Sequence, residues 1–121
     1  MESYTNVRSA SRQLTGRDPN SDVYDDGLLR VEHKNFFIAC GGVSLKLPRK
    51  EFLLVSRLVQ TPNRVVTSTD LWTCAWGHAK RLNPESLHVH IYRLRNKLLP
   101  FGIKIETMVN VGYKLSSQTK K

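Results

Sequence analysis

The chain has 121 residues, of which 40% are hydrophobic, enough for one compact domain and too few for two. No apolar run approaches the roughly 20 residues of a membrane helix, the start lacks a signal-peptide layout, and Cys40 and Cys74 are too few for a disulfide framework, so a cytoplasmic protein with reduced thiols is expected. Nineteen Lys and Arg against ten Asp and Glu leave a net charge of +9, which points to a polyanionic partner.

Residues 1–27 carry three basic and five acidic side chains, and their only aliphatic residues are Val7, Leu14 and Val23. Such a stretch buries too little surface to offset its ordering entropy, so it reads as a flexible tail or linker. The remaining sixteen basic and five acidic residues lie beyond it, so the cationic field belongs to the expected domain, residues 28–116, and to a short basic tail at 117–121.

From Leu28 to Leu47 the pattern is that of strands. Leu29 and Val31 alternate with Arg30 and Glu32, Phe36 to Ala39 is a short apolar run, and Val43, Leu45 and Leu47 alternate with Ser44 and Lys46. His33-Lys34-Asn35 and Cys40-Gly41-Gly42 supply the turns of a three-stranded antiparallel meander, the paired glycines permitting positive φ.

Three helices follow. Pro48 opens the first, Phe52, Val55, Leu58 and Val59 share a face, and Thr61-Pro62-Asn63 closes it. Thr67 caps the second, with Asp70 placed to reach back and Leu71, Cys74 and Ala75 facing inward. Asn83 caps the third, Pro84 suits its first position, and Pro100 with Gly102 ends it. Ile103 to Glu106 then alternates as a strand, Asn110-Val111-Gly112 offers a turn, and Tyr113-Lys114-Leu115 returns. An N-terminal antiparallel sheet, a three-helix core and a C-terminal β-hairpin make an α+β winged helix-turn-helix.

At about 100° per residue, Leu87, Ile91, Leu94 and Leu98 form one stripe of the third helix, and Ser86, Val89, His90, Arg93 and Lys97 form another. The second stripe suits a DNA major groove, with Arg93 able to bond guanine O6 and N7 bidentately and Lys97 suited to phosphate. From Pro84 to Leu99 the single acid is Glu85, in the first turn where the helix dipole favours it. His88, Tyr92 and Arg95 lie on the opposite flank, and Arg95 is expected to pair with a protein carboxylate.

Between Leu28 and Leu115 the chain resembles the winged-helix effector domain of OmpR/PhoB-type response regulators. The resemblance rests on Leu47-x-x-x-Glu51-Phe52-x-Leu54, on Pro62-Asn63-x-Val65-Val66-Thr67 leading to Leu71, and on Trp76-Gly77. It continues through Val89-His90-Ile91-Tyr92-Arg93-Leu94-Arg95-x-Lys97-Leu98, Ile105-x-Thr107 and Gly112-Tyr113-Lys114-Leu115. It implies a four-stranded N-terminal sheet, of which the pattern above supplies three strands, and a third helix that enters the major groove of double-stranded DNA with the wing near the minor groove. By matching position, Val89 and Arg93 would touch bases, while Trp76, Ser86, His90, Tyr92, Thr107 and Tyr113 would lie at the phosphate backbone. The loop from Gly77 to Asn83, with His78, Lys80 and Arg81, resembles one that contacts RNA polymerase, and tandem copies would bind direct repeats.

The sequence departs from the family pattern at the wing, where Val109-Asn110-Val111-Gly112-Tyr113 replaces Arg-Gly-x-Gly-Tyr, and at His88 and Pro48, which replace an acid and a capping Thr. A receiver domain does not fit in residues 1–27, so the chain reads as an excised effector domain or a regulator controlled another way. Phosphate-binding loops and nucleophile elbows are absent, which argues against an enzyme. Cys74, His78, His88 and His90 are the possible metal ligands, but His88 and His90 diverge by about 200° on one helix, so neither metal nor cofactor is expected. The alternative function is a winged-helix protein-interaction module that uses its basic face to contact RNA polymerase or another acidic protein.

Overall fold

The computed structural model describes residues 22–117. Strands β1 (Val23–Asp25), β2 (Leu29–Glu32), β3 (Phe37–Cys40) and β4 (Val43–Leu45) form an antiparallel sheet in chain order. Then come α1 (Arg49–Gln60), β5 (Val65–Thr67), α2 (Ser68–Trp76), α3 (Pro84–Leu98), a 3-10 turn (Leu99–Phe101), β6 (Ile103–Met108) and β7 (Gly112–Ser117). The second sheet has the order β5-β7-β6, so β7 is its central strand. This is the α+β winged-helix architecture expected from the sequence.

Two strands depart from the sequence reading. β1 lies before Gly27, in the stretch read as tail. Its Tyr24 pairs with Val31, which pairs with Ile38, which pairs with Leu45, giving one inward row across the whole sheet. Asp26 closes the β1-β2 turn by accepting the backbone N–H groups of Leu28 and Leu29 at 2.9 and 2.8 Å. The folded unit therefore starts at least five residues before Leu28, while the tail reading of residues 1–21 and of 118–121 falls outside the described residues. The second departure is β5, read only as the approach to a helix cap; it pairs Val66 with Tyr113 and so ties the helical core to the wing.

The turns and helices match their local signals. Gly41 and Gly42 both take positive φ, as a tight hairpin requires. Pro48 sits at the N-cap of α1 and provides no side-chain cap. Thr67 Oγ1 accepts from Asp70 N at 3.1 Å, but the Asp70 carboxylate turns to Arg57 at 3.8 Å instead of completing a capping box. Asn83 Oδ1 accepts from Glu85 N and Ser86 N, both at 3.1 Å.

One core joins the first sheet, the three helices and the wing. Phe52, Leu54, Val55 and Leu58 of α1, Leu71 of α2, the four-residue stripe of α3, and Ile103 and Leu115 of the wing all have essentially no exposure. Cys40 joins them, and burial pushes its thiol up to about 11, which keeps it protonated and inert. Cys74, assigned inward, is instead exposed; the inward place on α2 belongs to Trp72, whose indole Nε1 donates to Lys80 O at 2.9 Å.

His33, in the β2-β3 turn, bonds through Nδ1 to the hydroxyl of Ser56, a buried residue of α1. Burial lowers the pKa of His33 below its ordinary 6.5, opposed by the nearby Asp22 carboxylate. The folded state thus holds fewer protons here than the unfolded chain, so stability is complete above pH 6.5 and declines as the pH falls through the lowered value. Urea titrations at pH 8 and pH 5 are expected to show a smaller acid loss in His33→Gln than in the wild type; equal losses would remove His33 from this role.

Candidate nucleic-acid interface

Helix α3 is held by its leucine stripe and presents its other side outward. Val89 is 42% exposed and Tyr92 54% exposed, and Arg93, one turn beyond Val89, is exposed and makes no ion pair among the described residues. An outward guanidinium with five free donors beside a small apolar side chain matches the donor and acceptor pattern of a major groove.

Ser86 and His90 lie one turn apart toward the start of α3. His90 Nδ1 approaches Ser86 O at 2.8 Å, and the ring meets Trp76 edge to face at 4.9 Å. Trp76 stacks on Trp72 at 4.0 Å with their planes 6° apart. The pair is spaced i, i+4 on α2, a spacing visible in the sequence. This packing fixes the Trp76 ring while its Nε1 donates to no described residue.

Arg95 is a clamp between α3 and the wing. Its Nε donates to Ile105 O at 2.8 Å and its NH2 to Thr107 Oγ1 at 2.7 Å. The expected carboxylate partner is replaced by a carbonyl and a hydroxyl of β6. Because Thr107 Oγ1 accepts from Arg95, its own O–H remains a donor aimed elsewhere. Tyr113 is only 6% exposed, and burial raises the pKa of its phenol. It packs in the core and also lines an open cleft of about 410 Å³ shared with Thr67, Ser68, Thr107 and Asn110. At the wing tip Asn110 takes the positive φ of the turn, and Val109 is 76% exposed.

Lys97 departs from its assigned role. Its Nζ lies 2.7 Å from Oε1 of Glu51, a residue of α1 that is 2% exposed. The ammonium therefore serves a buried carboxylate and points toward α1, not along the line of Val89 and Arg93. Gly112 also differs from its reading as a turn residue. It begins β7, and a Cβ there would meet Val66 O at 2.0 Å and Thr67 Cα at 2.8 Å. Close approach of β5, not a special dihedral angle, requires glycine. His78, Lys80 and Arg81 are all exposed in the α2-α3 loop. Among the described residues no three His, Cys, Asp or Glu side chains come together as metal ligands would, and no helix is long and apolar enough to cross a membrane.

The sequence model for "Transcriptional regulatory protein, C terminal" matches residues 42–115, from the β3-β4 turn into β7. The chain belongs to this family, the OmpR/PhoB-type effector domains. Response regulator ArlR of Staphylococcus epidermidis is 31% identical over 104 residues, covering 84% of this chain and 48% of the relative. The Staphylococcus aureus ArlR is 28% identical over the same length. The chain thus spans about half the length of the curated relatives it matches.

Among solved structures, the DNA-binding domain of CpxR from E. coli superposes with a TM-score of 0.70 at 27% identity, over 80% of this chain and 98% of that one. The Klebsiella pneumoniae RstA DNA-binding domain, solved in complex with the RstA box, gives 0.67 at 25% identity, over 78% and 96%. For this OmpR/PhoB-type domain the motif residues acquire physical reasons. Glu51 pairs with Lys97 to join α1 to α3, Trp76 braces α2 against α3, and Gly112 lets β7 lie against β5. Val109 and Val111 of the wing are both exposed.

Proposed function

We propose that this chain is a sequence-specific duplex DNA binder acting in transcription regulation, with α3 in the major groove and the wing near the adjacent minor groove. The observation that carries the reading is the outward Arg93, unpaired among the described residues, beside exposed Val89 on a helix whose opposite stripe is fully buried. Val89 and Arg93 contact base edges. Trp76, Ser86, His90, Tyr92, Thr107 and Tyr113 supply backbone contacts, the last through the cleft it lines. Family membership supports the assignment, as does the RstA domain of similar fold solved with its DNA box.

Lys97 is withdrawn from the contact set because its ammonium is engaged by Glu51. The exposed His78, Lys80 and Arg81 form a surface for RNA polymerase, and copies of the domain occupy direct repeats in the cytoplasm. Selection from a random duplex library supplies the target. On that target Arg93→Ala is expected to weaken specific binding by about 2 kcal/mol and to relax preference at one base position. An unchanged base preference would remove Arg93 from readout.

A further inference from the structure

The cations of the described residues fall into two groups. Arg30, Arg57, Lys97 and Lys114 are within 4.0 Å of carboxylates, and Arg95 is bonded to β6. Lys46, Arg49 and Lys50 form no ion pair among the described residues, although they cluster within five positions at the entry to α1. Two of them occupy the first turn of the helix, where the macrodipole is positive and cations are disfavoured. Pro48 leaves that end without a side-chain cap, and the one acid in the turn, Glu51, is buried and committed to Lys97. Local electrostatics therefore works against these side chains, and an anion from outside would offset it.

Their position says which anion. Lys50 Nζ lies 5.6 Å from the centroid of Trp76, above the ring, and Trp76 meets His90 of α3 edge to face at 4.9 Å. Lys50, Trp76 and His90 thus form a continuous line from α1 through α2 to α3. Arg49 is held over the Phe36 ring at 5.0 Å, so it too is fixed by stacking and not by a carboxylate. A cation that rests on an aromatic face keeps its N–H donors free for a phosphate.

We propose that the first turn of α1 extends the DNA interface beyond α3 and the wing, with Lys50 as a phosphate contact adjoining Trp76 and His90 and with Arg49 and Lys46 continuing the track. The inference rests on the DNA-binding reading above and adds a third element to it. This contact is blind to base sequence and acts through counterion release.

The test is the salt dependence of binding by the full chain to a duplex selected by the wild type, read by fluorescence anisotropy between 50 and 200 mM salt. Lys50→Met is expected to lower the log–log slope by about 0.9, so that over this range it loses about 3.5-fold less affinity than the wild type does. Lys50→Arg is expected to keep the full slope, and both variants to bind selected and scrambled duplexes with the wild-type preference. A purely structural role for Lys50 over Trp76 would lower the melting temperature of Lys50→Met and leave the slope unchanged, which overturns the inference while DNA binding stands. Failure of the wild-type chain to bind any duplex overturns the DNA reading and the inference together.

Discussion

Gly112→Ala is expected to destabilise the domain by about 3 kcal/mol or more, read as a drop in urea midpoint at unchanged slope. The added Cβ would stand 2.0 Å from the backbone oxygen of Val66, and backbone cannot rotate aside as a side-chain tip can. Relief requires β5 and β7 to separate, which breaks the pairing of Thr67 with Gly112 and of Val66 with Tyr113. Because Val66 and Tyr113 are both in the core cluster, separation also opens apolar surface to water. DNA affinity should fall in parallel, since Thr107 and Tyr113 are registered opposite each other across the same hairpin. A variant as stable as the wild type would show that β5 and β7 are not held this closely.

Lys97→Met is expected to cost about 3 kcal/mol, at the lower end for breaking a buried pair because the lysine itself is partly solvated. The loss comes from Glu51, which keeps its desolvation penalty and loses its counterion. Two companion variants separate this account from a role in DNA contact. The double variant Glu51→Leu with Lys97→Met removes both charges and is expected to recover most of the stability. The salt slope of binding should not change in the double variant. A slope reduced by about 0.9 with stability intact would instead return Lys97 to the phosphate contacts.

The elements legible in the sequence were those whose signals are local. Asn83 and Pro84 mark the start of α3 and Pro100 lies two residues past its end, and its leucine stripe is an intrinsic periodicity, so both the boundaries and the buried face were readable. β1 was not, because its only buried residue is Tyr24 in a stretch otherwise polar, and its partner Val31 lies across a turn. β5 shows no alternation over three residues; it becomes a strand only because β7 lies alongside it. The engagement of Lys97 by Glu51 was hidden for the same reason at the side-chain level. On a helical wheel it trails Arg93 by about 40°, and the carboxylate that draws it away is 46 residues earlier in the chain. Arg93 lies outward as its wheel position implies, because no distant carboxylate among the described residues competes for it.

The central position of β7 bears on how the domain comes into being during synthesis. The first sheet pairs neighbours in chain order and can assemble as soon as its own strands emerge from the ribosome. β5 has no partner until Gly112 to Lys114 is made, about 45 residues later, and loop closure over that span is slow compared with hairpin formation. Through that interval α1 and α2 can pack on each other, but the core faces later covered by Ile103 and Leu115 of the wing stay open on the nascent chain, so chaperone dependence in the cell should track the pace of translation through α3 and the wing.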